Sequence, residues 1–310
     1  MARTFPAVLI HGILESGKTK FIIDSVKNGD FGDIGRVLIL SMEEGEEEYD
    51  AKELAKYNAV AYTFDSQEEF TVEKINELVK INKPHAIFFE MNEMWDMEKL
   101  KFPPYILVEQ AFTIIDASTF KIYFNNMRQK FTDMVKESDV VIMNRCEETP
   151  EMAGFKRSLK IINKNAQFIT LGKNGETVSF VEDLPYKLQD EMPISDENFG
   201  IFYIDTFDNP SRYDGKIVEF DCIGVIADEL PPNTFVAGRP AMTCCANDIQ
   251  FIGHLCSFTA AQNFKDKSWI KLRSRVHYVR MEGETDPQCV LEALSMTPIP
   301  EPAEPVVNLT

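Results

Sequence analysis

An α/β domain with a mainly parallel sheet, followed by a small all-β barrel or sandwich, is the fold class that this sequence of 310 residues predicts. Three observations predict it. Up to about residue 185, short apolar runs alternate with amphipathic helical periods. A Gly-rich loop joins the first apolar run to the first helical stretch. Beyond about residue 195, strand-like segments succeed one another with turn chemistry between them. The length allows two domains with separate cores, and 44% hydrophobic with 26% charged residues is a globular composition.

The apolar runs AVLI (7–10), RVLIL (36–40), AVAYTF (59–64), AIFFE (86–90), FTIIDA (112–117), VVIM (140–143) and AQFIT (166–170) read as strands. KTKFIIDSVKN, EEFTVEKINELVKIN, FNNMRQKFTDMVKES and EMAGFKRSLKIIN between them read as helices. Continuous apolar strands separated by helices indicate a parallel sheet covered on both faces. The polar stretch around Pro193 reads as a linker. GIFYIDTF, KIVEFDCIGVIAD, TFVAGRPAMTCC, IQFIGHLCSFTA and SWIKLRSRVHYVRM then read as strands of an antiparallel barrel or sandwich, with an oligonucleotide-binding barrel as one form. The expected organisation is a nucleotide-binding domain over 1–187, a β-rich domain over 195–283, and a Pro-rich tail over 284–310, extended or disordered.

The chemistry is carried by Gly12-Ile-Leu-Glu15-Ser16-Gly17-Lys18-Thr19, a GxxxxGK(S/T) loop between a strand and a helix. Gly12 and Gly17 let the backbone form a nest of N–H groups around phosphates, and the helix N-terminus adds positive potential. Lys18 reaches the β and γ phosphates, the Thr19 hydroxyl ligates Mg²⁺, and Ser16 and Lys20 flank them. A second element, Asn144-Arg145-Cys146-Glu147, follows the strand VVIM. It is similar to the Asn-Lys-x-Asp element with which GTPases read guanine. Glu147 preserves the pair of acceptors for guanine, and Arg145 can stack on the base.

In their order these pieces resemble the CobW-type metallochaperone GTPases over about residues 1–180. GILESGKT (12–19), MEEG (42–45), FFEMNEMWDM (88–97), TIIDAS (113–118) and SDVVIMNRCE (138–147) stand where that family carries its loop, its Asn-Glu-x-Gly, its Glu-initiated switch and its guanine element. The resemblance implies GTP as ligand, Mg²⁺ as cofactor held by Thr19 and Glu43, and catalytic roles for Lys18, Glu43 and Glu90. Departures from the family are Glu15 in place of a loop glycine, Glu93 in place of the switch glycine, and no Cys-x-Cys-Cys motif, the first cysteine being Cys146. Met91, Met94 and Met97 beside Trp95 suggest a soft-metal site or, more simply, core packing.

The run from about 195 to 280 resembles the C-terminal domain of the YcgQ-like proteins, described as a subunit of a two-component membrane permease. That resemblance rests on Gly-Lys-x-Val-x-Phe, an Arg ahead of Cys-Cys-Ala-x-Asp, and a late Trp-Ile-x-Leu strand. Cys244, Cys245, Asp248 and His254, with Cys222 or Cys256, form a candidate Zn²⁺ site. A buried structural turn and thiol chemistry are the alternatives.

A formal net charge of −18 makes nucleic acid and anionic membrane surfaces poor partners. With no apolar stretch of 18 residues, no secretory leader and six cysteines outside any disulfide spacing, the expectation is a cytoplasmic protein without membrane insertion. The functional expectation is a GTP-binding protein and slow GTPase coupling nucleotide state to metal handling or to a partner. The alternative is a nucleotide-dependent adaptor for a permease subunit with little hydrolysis, and a P-loop kinase is a third reading. Expected partners are GTP, a metal-receiving protein or a permease subunit, with a homodimer as a further arrangement.

Overall fold

A computed structural model describes residues 4–29, 35–43, 45, 47–147, 149–179, 184–227, 230–242, 249–259, 264–280 and 287–308. The chain forms two compact units: Met1–Met152 with Asn165–Phe180, and Ala153–Lys164 with Val181–Thr310.

In the first unit, seven strands make one sheet: β1 (Phe5–His11), β2 (Val37–Ser41), β3 (Ala59–Thr63), β4 (Ala86–Glu90), β5 (Ile106–Asp116), β6 (Val140–Asn144) and β7 (Gln167–Thr170). Their order is β3-β2-β4-β1-β5-β6-β7, and every pairing is parallel. These are the seven predicted runs, with β5 beginning six residues earlier than its apolar run. The strands are apolar on both faces because both faces are covered. On one, α1 (Lys18–Asn28) and α2 (Ala51–Ala55) bring Ile22, Val26 and Leu54 onto Ile10, Ile39, Phe88 and Ile114. On the other, α3 (Val72–Asn82) brings Ile75, Leu78 and Val79 onto Leu38, Leu40, Ile87 and Phe89. The predicted helical stretch 124–138 is divided at Met127 into the ends of α4 (Phe120–Asn126) and α5 (Arg128–Lys136). The break lets Phe120, Phe124 and Phe131 meet ring to ring, with centroids 4.7–5.7 Å apart. The last predicted helix is α6 (Pro150–Ile162), most of which belongs to the second unit.

In the second unit, β9 (Ile217–Val225), β10 (Thr234–Met242), β11 (Ile249–Ser257), β12 (Ser268–Val279) and β13 (Gln288–Pro298) close into a five-stranded barrel. The strands run around it as β9-β10-β11-β13-β12 and back to β9, all antiparallel except β11 with β13. β8 (Glu191–Pro193) extends the sheet beside β9, and β14 (Val307–Asn308) beside β10. Alternate residues point inward: Val218, Phe220 and Cys222 from β9, Ile270 and Leu272 from β12, Cys289, Leu291 and Ala293 from β13.

Two expectations are corrected here. The run 200–207, read as a strand, lies in the helix α7 (Phe199–Asp208). A continuous apolar run has no period to separate the two, and Phe199, Phe202, Tyr203 and Thr206 all find buried partners at helical spacing. Residues 288–298, assigned to an extended or disordered tail, form β13 and supply a wall of the barrel. Apart from Pro287, just ahead of the strand, the prolines lie at or beyond its end, whereas Cys-Val-Leu-Glu-Ala-Leu before them alternates as a half-buried strand does.

Candidate functional site

Parallel strands deliver their carboxyl ends to one rim, and the chemistry-bearing residues of the first unit lie there. Ser41 ends β2, Glu90 ends β4, Asp116 ends β5 and Asn144 ends β6. β1 sits between β4 and β5, where successive strands change from one side of it to the other, so the loop after it opens at the topological switch point.

That loop is 12–17. Gly12 has φ 149°, and a Cβ there would lie 2.5 Å from the Ile114 carbonyl oxygen and from the Ser16 Oγ, so no other residue fits. Gly17, at φ 98°, is the left-handed residue preceding α1, whose first N–H groups have no side-chain cap and no acidic neighbour in the first turn. An anion is the natural partner of such an end. Ser16 is buried, and its Oγ has no hydrogen-bond partner. Glu15 stands at φ 63°, a left-handed position that glycine adopts freely and a carboxylate residue does not. Lys20 is on the solvent face of α1, 3.9 Å from Asp24.

Lys18 turns back along the loop. Its buried ammonium donates to the carbonyls of Gly12 (2.7 Å) and Ile13 (3.2 Å) and pairs with Glu43 Oε1 at 2.7 Å. Burial pushes the Glu43 carboxyl above the usual carboxylate range, with Lys18 pulling it back and Glu90 and Glu93 adding to the rise. Thr19 Oγ1 donates to Glu90 Oε1 at 2.6 Å. The other Glu90 oxygen accepts from Ser41 Oγ (2.6 Å) and Tyr49 OH (2.9 Å). Burial, then the neighbouring Glu90, hold the Tyr49 phenol well above its ordinary value, so it remains a donor. Beside these groups lies a cavity of about 380 Å³ lined by Thr19, Glu43, Tyr49 and Glu90, among others. A hard divalent cation takes oxygen donors of this kind. Thr19 Oγ1 and Glu90 Oε1, already adjacent at the start of α1 and the end of β4, are oxygen donors that would suit Mg²⁺.

The β6 end reaches the same loop. Asn144 Nδ2 donates to the Ser16 carbonyl at 2.7 Å, tying the end of β6 to loop 12–17. Arg145 bonds Asp116 and the Glu15 carbonyl. Glu147 is exposed, with Lys173 from the loop after β7 at 2.7 Å lowering its carboxyl's pKa. Gly12, Ser16, Gly17, Lys18, Thr19, Glu43, Glu90 and Asn144 therefore converge, with Arg145 at the edge, while Glu147 pairs with Lys173 and makes no described contact with the loop. Sequence reasoning missed Ser41, Tyr49 and the pair His11–Glu93. In that pair, His11 Nδ1 and Glu93 Oε1 are 2.7 Å apart, and both side chains are buried.

Met91 is buried and Met94 exposed, so the three methionines do not converge. In the second unit, Cys244, Cys245 and Asp248 lie outside the described residues. His254 is fully buried, its Nε2 3.2 Å from Thr206 Oγ1 and its ring among Phe202, Tyr203 and Phe207. Burial, helped by the Lys164 charge, pushes its pKa down to about 3. Cys222 and Cys256 are buried, and burial raises both thiols. Among the described residues no group of three or more His, Cys, Asp or Glu is placed to hold a metal ion. No helix among them is long and apolar enough to cross a membrane.

Residues 175–308, a little under half of the chain, match the family model described as the DUF1980 C-terminal domain. This covers the region that the sequence resemblance had singled out. No curated protein matches the chain. Among solved structures, it is similar to the hydrogenase maturation factor HypB from Archaeoglobus fulgidus, at 16% identity and TM-score 0.40 over 56% of this chain and 84% of that one. It is similar to a Zn(II)-bound triple mutant of the YjiA GTPase at 13% and 0.41, over 71% of this chain and 72% of that one. HypB from Helicobacter pylori in complex with nickel gives 13% and 0.37, over 55% and 80%. These likenesses are low in identity and in TM-score, and the reading of the site rests on its own geometry.

Proposed function

We propose that the first unit binds GTP with Mg²⁺ and hydrolyses it slowly, its nucleotide state being read by a partner or used in metal handling. The observation that carries this reading is the meeting of Lys18, Thr19 and Glu90 around a loop that only glycine at position 12 permits. The loop and the α1 N-terminus would cradle the phosphates, while Thr19 and Glu90 would hold the ion. Ser41 and Tyr49 keep the Glu90 carboxylate aimed at Thr19. The bound ion would neutralise phosphate charge, and the chain's own residues orient it and the triphosphate.

Guanine selection would fall to Glu147, with Asn144 fixing its strand end to the phosphate loop. A bidentate carboxylate contact to the base discriminates by about 1–3 kcal/mol. Slow turnover is expected because Glu93 replaces a small switch residue and is held by His11. Titration of GTP against ATP, with Glu147→Ala as control, tests the base; basal turnover below about 1 s⁻¹ tests the rate. Equal affinity for both nucleotides, unaltered by the substitution, would remove the guanine assignment. Turnover of tens per second would remove the slow one. Zn²⁺ as cargo, a metal-receiving protein or a permease subunit as partner, and a homodimer are the partners this reading carries forward.

A further inference from the structure

Lys18 has three N–H donors and three acceptors: the Gly12 carbonyl at 2.7 Å, the Ile13 carbonyl at 3.2 Å, and Glu43 Oε1 at 2.7 Å. No donor is left for a phosphate oxygen. One of the three bonds must therefore break when a phosphate arrives, and they are not equivalent. The two carbonyls belong to the lysine's own loop and hold its stem in place. Glu43 comes from a different part of the chain, just beyond β2, and is the only anion of the three.

Exchanging that carboxylate for a phosphate oxygen keeps the buried ammonium paired throughout. Exchanging a carbonyl would place phosphate and carboxylate together on one cation. Glu43 also lies close enough to Glu90 and Glu93 for both to disfavour its charge, so leaving Lys18 relieves a repulsion. The Thr19 hydroxyl, for its part, is bonded to Glu90 and not to Glu43.

We propose that Glu43 is an internal competitor for Lys18, so that nucleotide phosphates enter by displacing its carboxylate and Glu43 sets the affinity of the site. This rests on the reading of loop 12–19 as a phosphate site, and it replaces the expectation that Glu43 holds Mg²⁺. Removing the charge while keeping the shape leaves Lys18 buried without an anion until phosphate binds. The penalty then falls on the unliganded protein alone. A charge-assisted contact contributes about 1.5–3 kcal/mol, which converts to about 10- to 150-fold in a dissociation constant.

The test is equilibrium titration of the full chain with a non-hydrolysable GTP analogue and, separately, with inorganic pyrophosphate, both at fixed Mg²⁺. The proteins are the parent, Glu43→Gln, Glu43→Ala, Lys18→Ala and the double variant Lys18→Ala/Glu43→Gln. Both Glu43 variants should bind both ligands at least about tenfold tighter, and the double variant should lose the gain. Equal or weaker binding by folded Glu43→Gln and Glu43→Ala overturns the competitor role. If Lys18→Ala still abolishes binding to the parent in that case, the phosphate site itself stands. If Lys18→Ala binds as the parent does, the phosphate site falls and the competitor with it.

Discussion

Glu15 occupies a left-handed position, φ 63°, in loop 12–17, and its side chain is exposed. A non-glycine residue held there costs about 1 kcal/mol or more. Glu15→Gly should therefore leave stability unchanged or raise it by up to about that amount, despite the extra freedom of the unfolded chain. It should also tighten triphosphate binding by removing a carboxylate from beside the phosphates. Urea denaturation and nucleotide titration check the two parts, and a variant that loses both stability and affinity would show that Glu15 is itself a contact. Tyr49→Phe tests another residue, the phenol on Glu90. Freed of one donor, Glu90 should hold Mg²⁺ several-fold more weakly, with nucleotide affinity in the absence of Mg²⁺ unchanged. At this scale Lys18 and Thr19 were legible because their spacing within the loop fixes their roles. Ser41, Tyr49 and the pairing of His11 with Glu93 were not, since sheet register and loop return bring these groups together from the ends of β1, β2 and β4.

At the scale of the element, the seven strands of the first unit followed from apolar runs and α1 from its period, down to its start at Lys18, whereas α2 and the break at Met127 did not. Placement failed for α7, where an unbroken apolar run hid a helix buried on most sides, and for β13, where neighbouring prolines outweighed a clear alternation. The helix α7 carries a second consequence. His254 of β11 is buried against it in the neutral form, with a pKa of about 3 compared with 6.5 for a free imidazole. The unfolded chain binds a proton between those values and the folded chain does not. Stability from this group is therefore complete above about pH 6.5 and is lost as pH falls toward 3, at up to about 1.4 kcal/mol per unit. Thermal melts between pH 7 and 4 should fall less steeply in His254→Gln than in the parent. Parallel slopes would contradict the assignment.

At the scale of the whole molecule, one chain joins a parallel α/β unit, whose strand ends gather the candidate site, to a closed β-barrel unit with three free, buried thiols among its described residues, Cys222, Cys256 and Cys289. The acidic balance, −18 overall, is consistent with partners other than nucleic acid or anionic membrane. It does not name one, because the partner would be read from a surface and not from composition. The sequence announced both architectures through pattern and order. It assigned Mg²⁺ to Thr19 and Glu43, whereas the carboxylate bonded to Thr19 is Glu90, an outcome that depends on which strand end abuts Thr19. Phosphate binding at loop 12–19 is tested most directly by isothermal titration of the full chain with a non-hydrolysable GTP analogue plus Mg²⁺. Saturable one-to-one binding by the parent, lost in Lys18→Ala, is the predicted result; equal binding by parent and variant, or none by either, would contradict it.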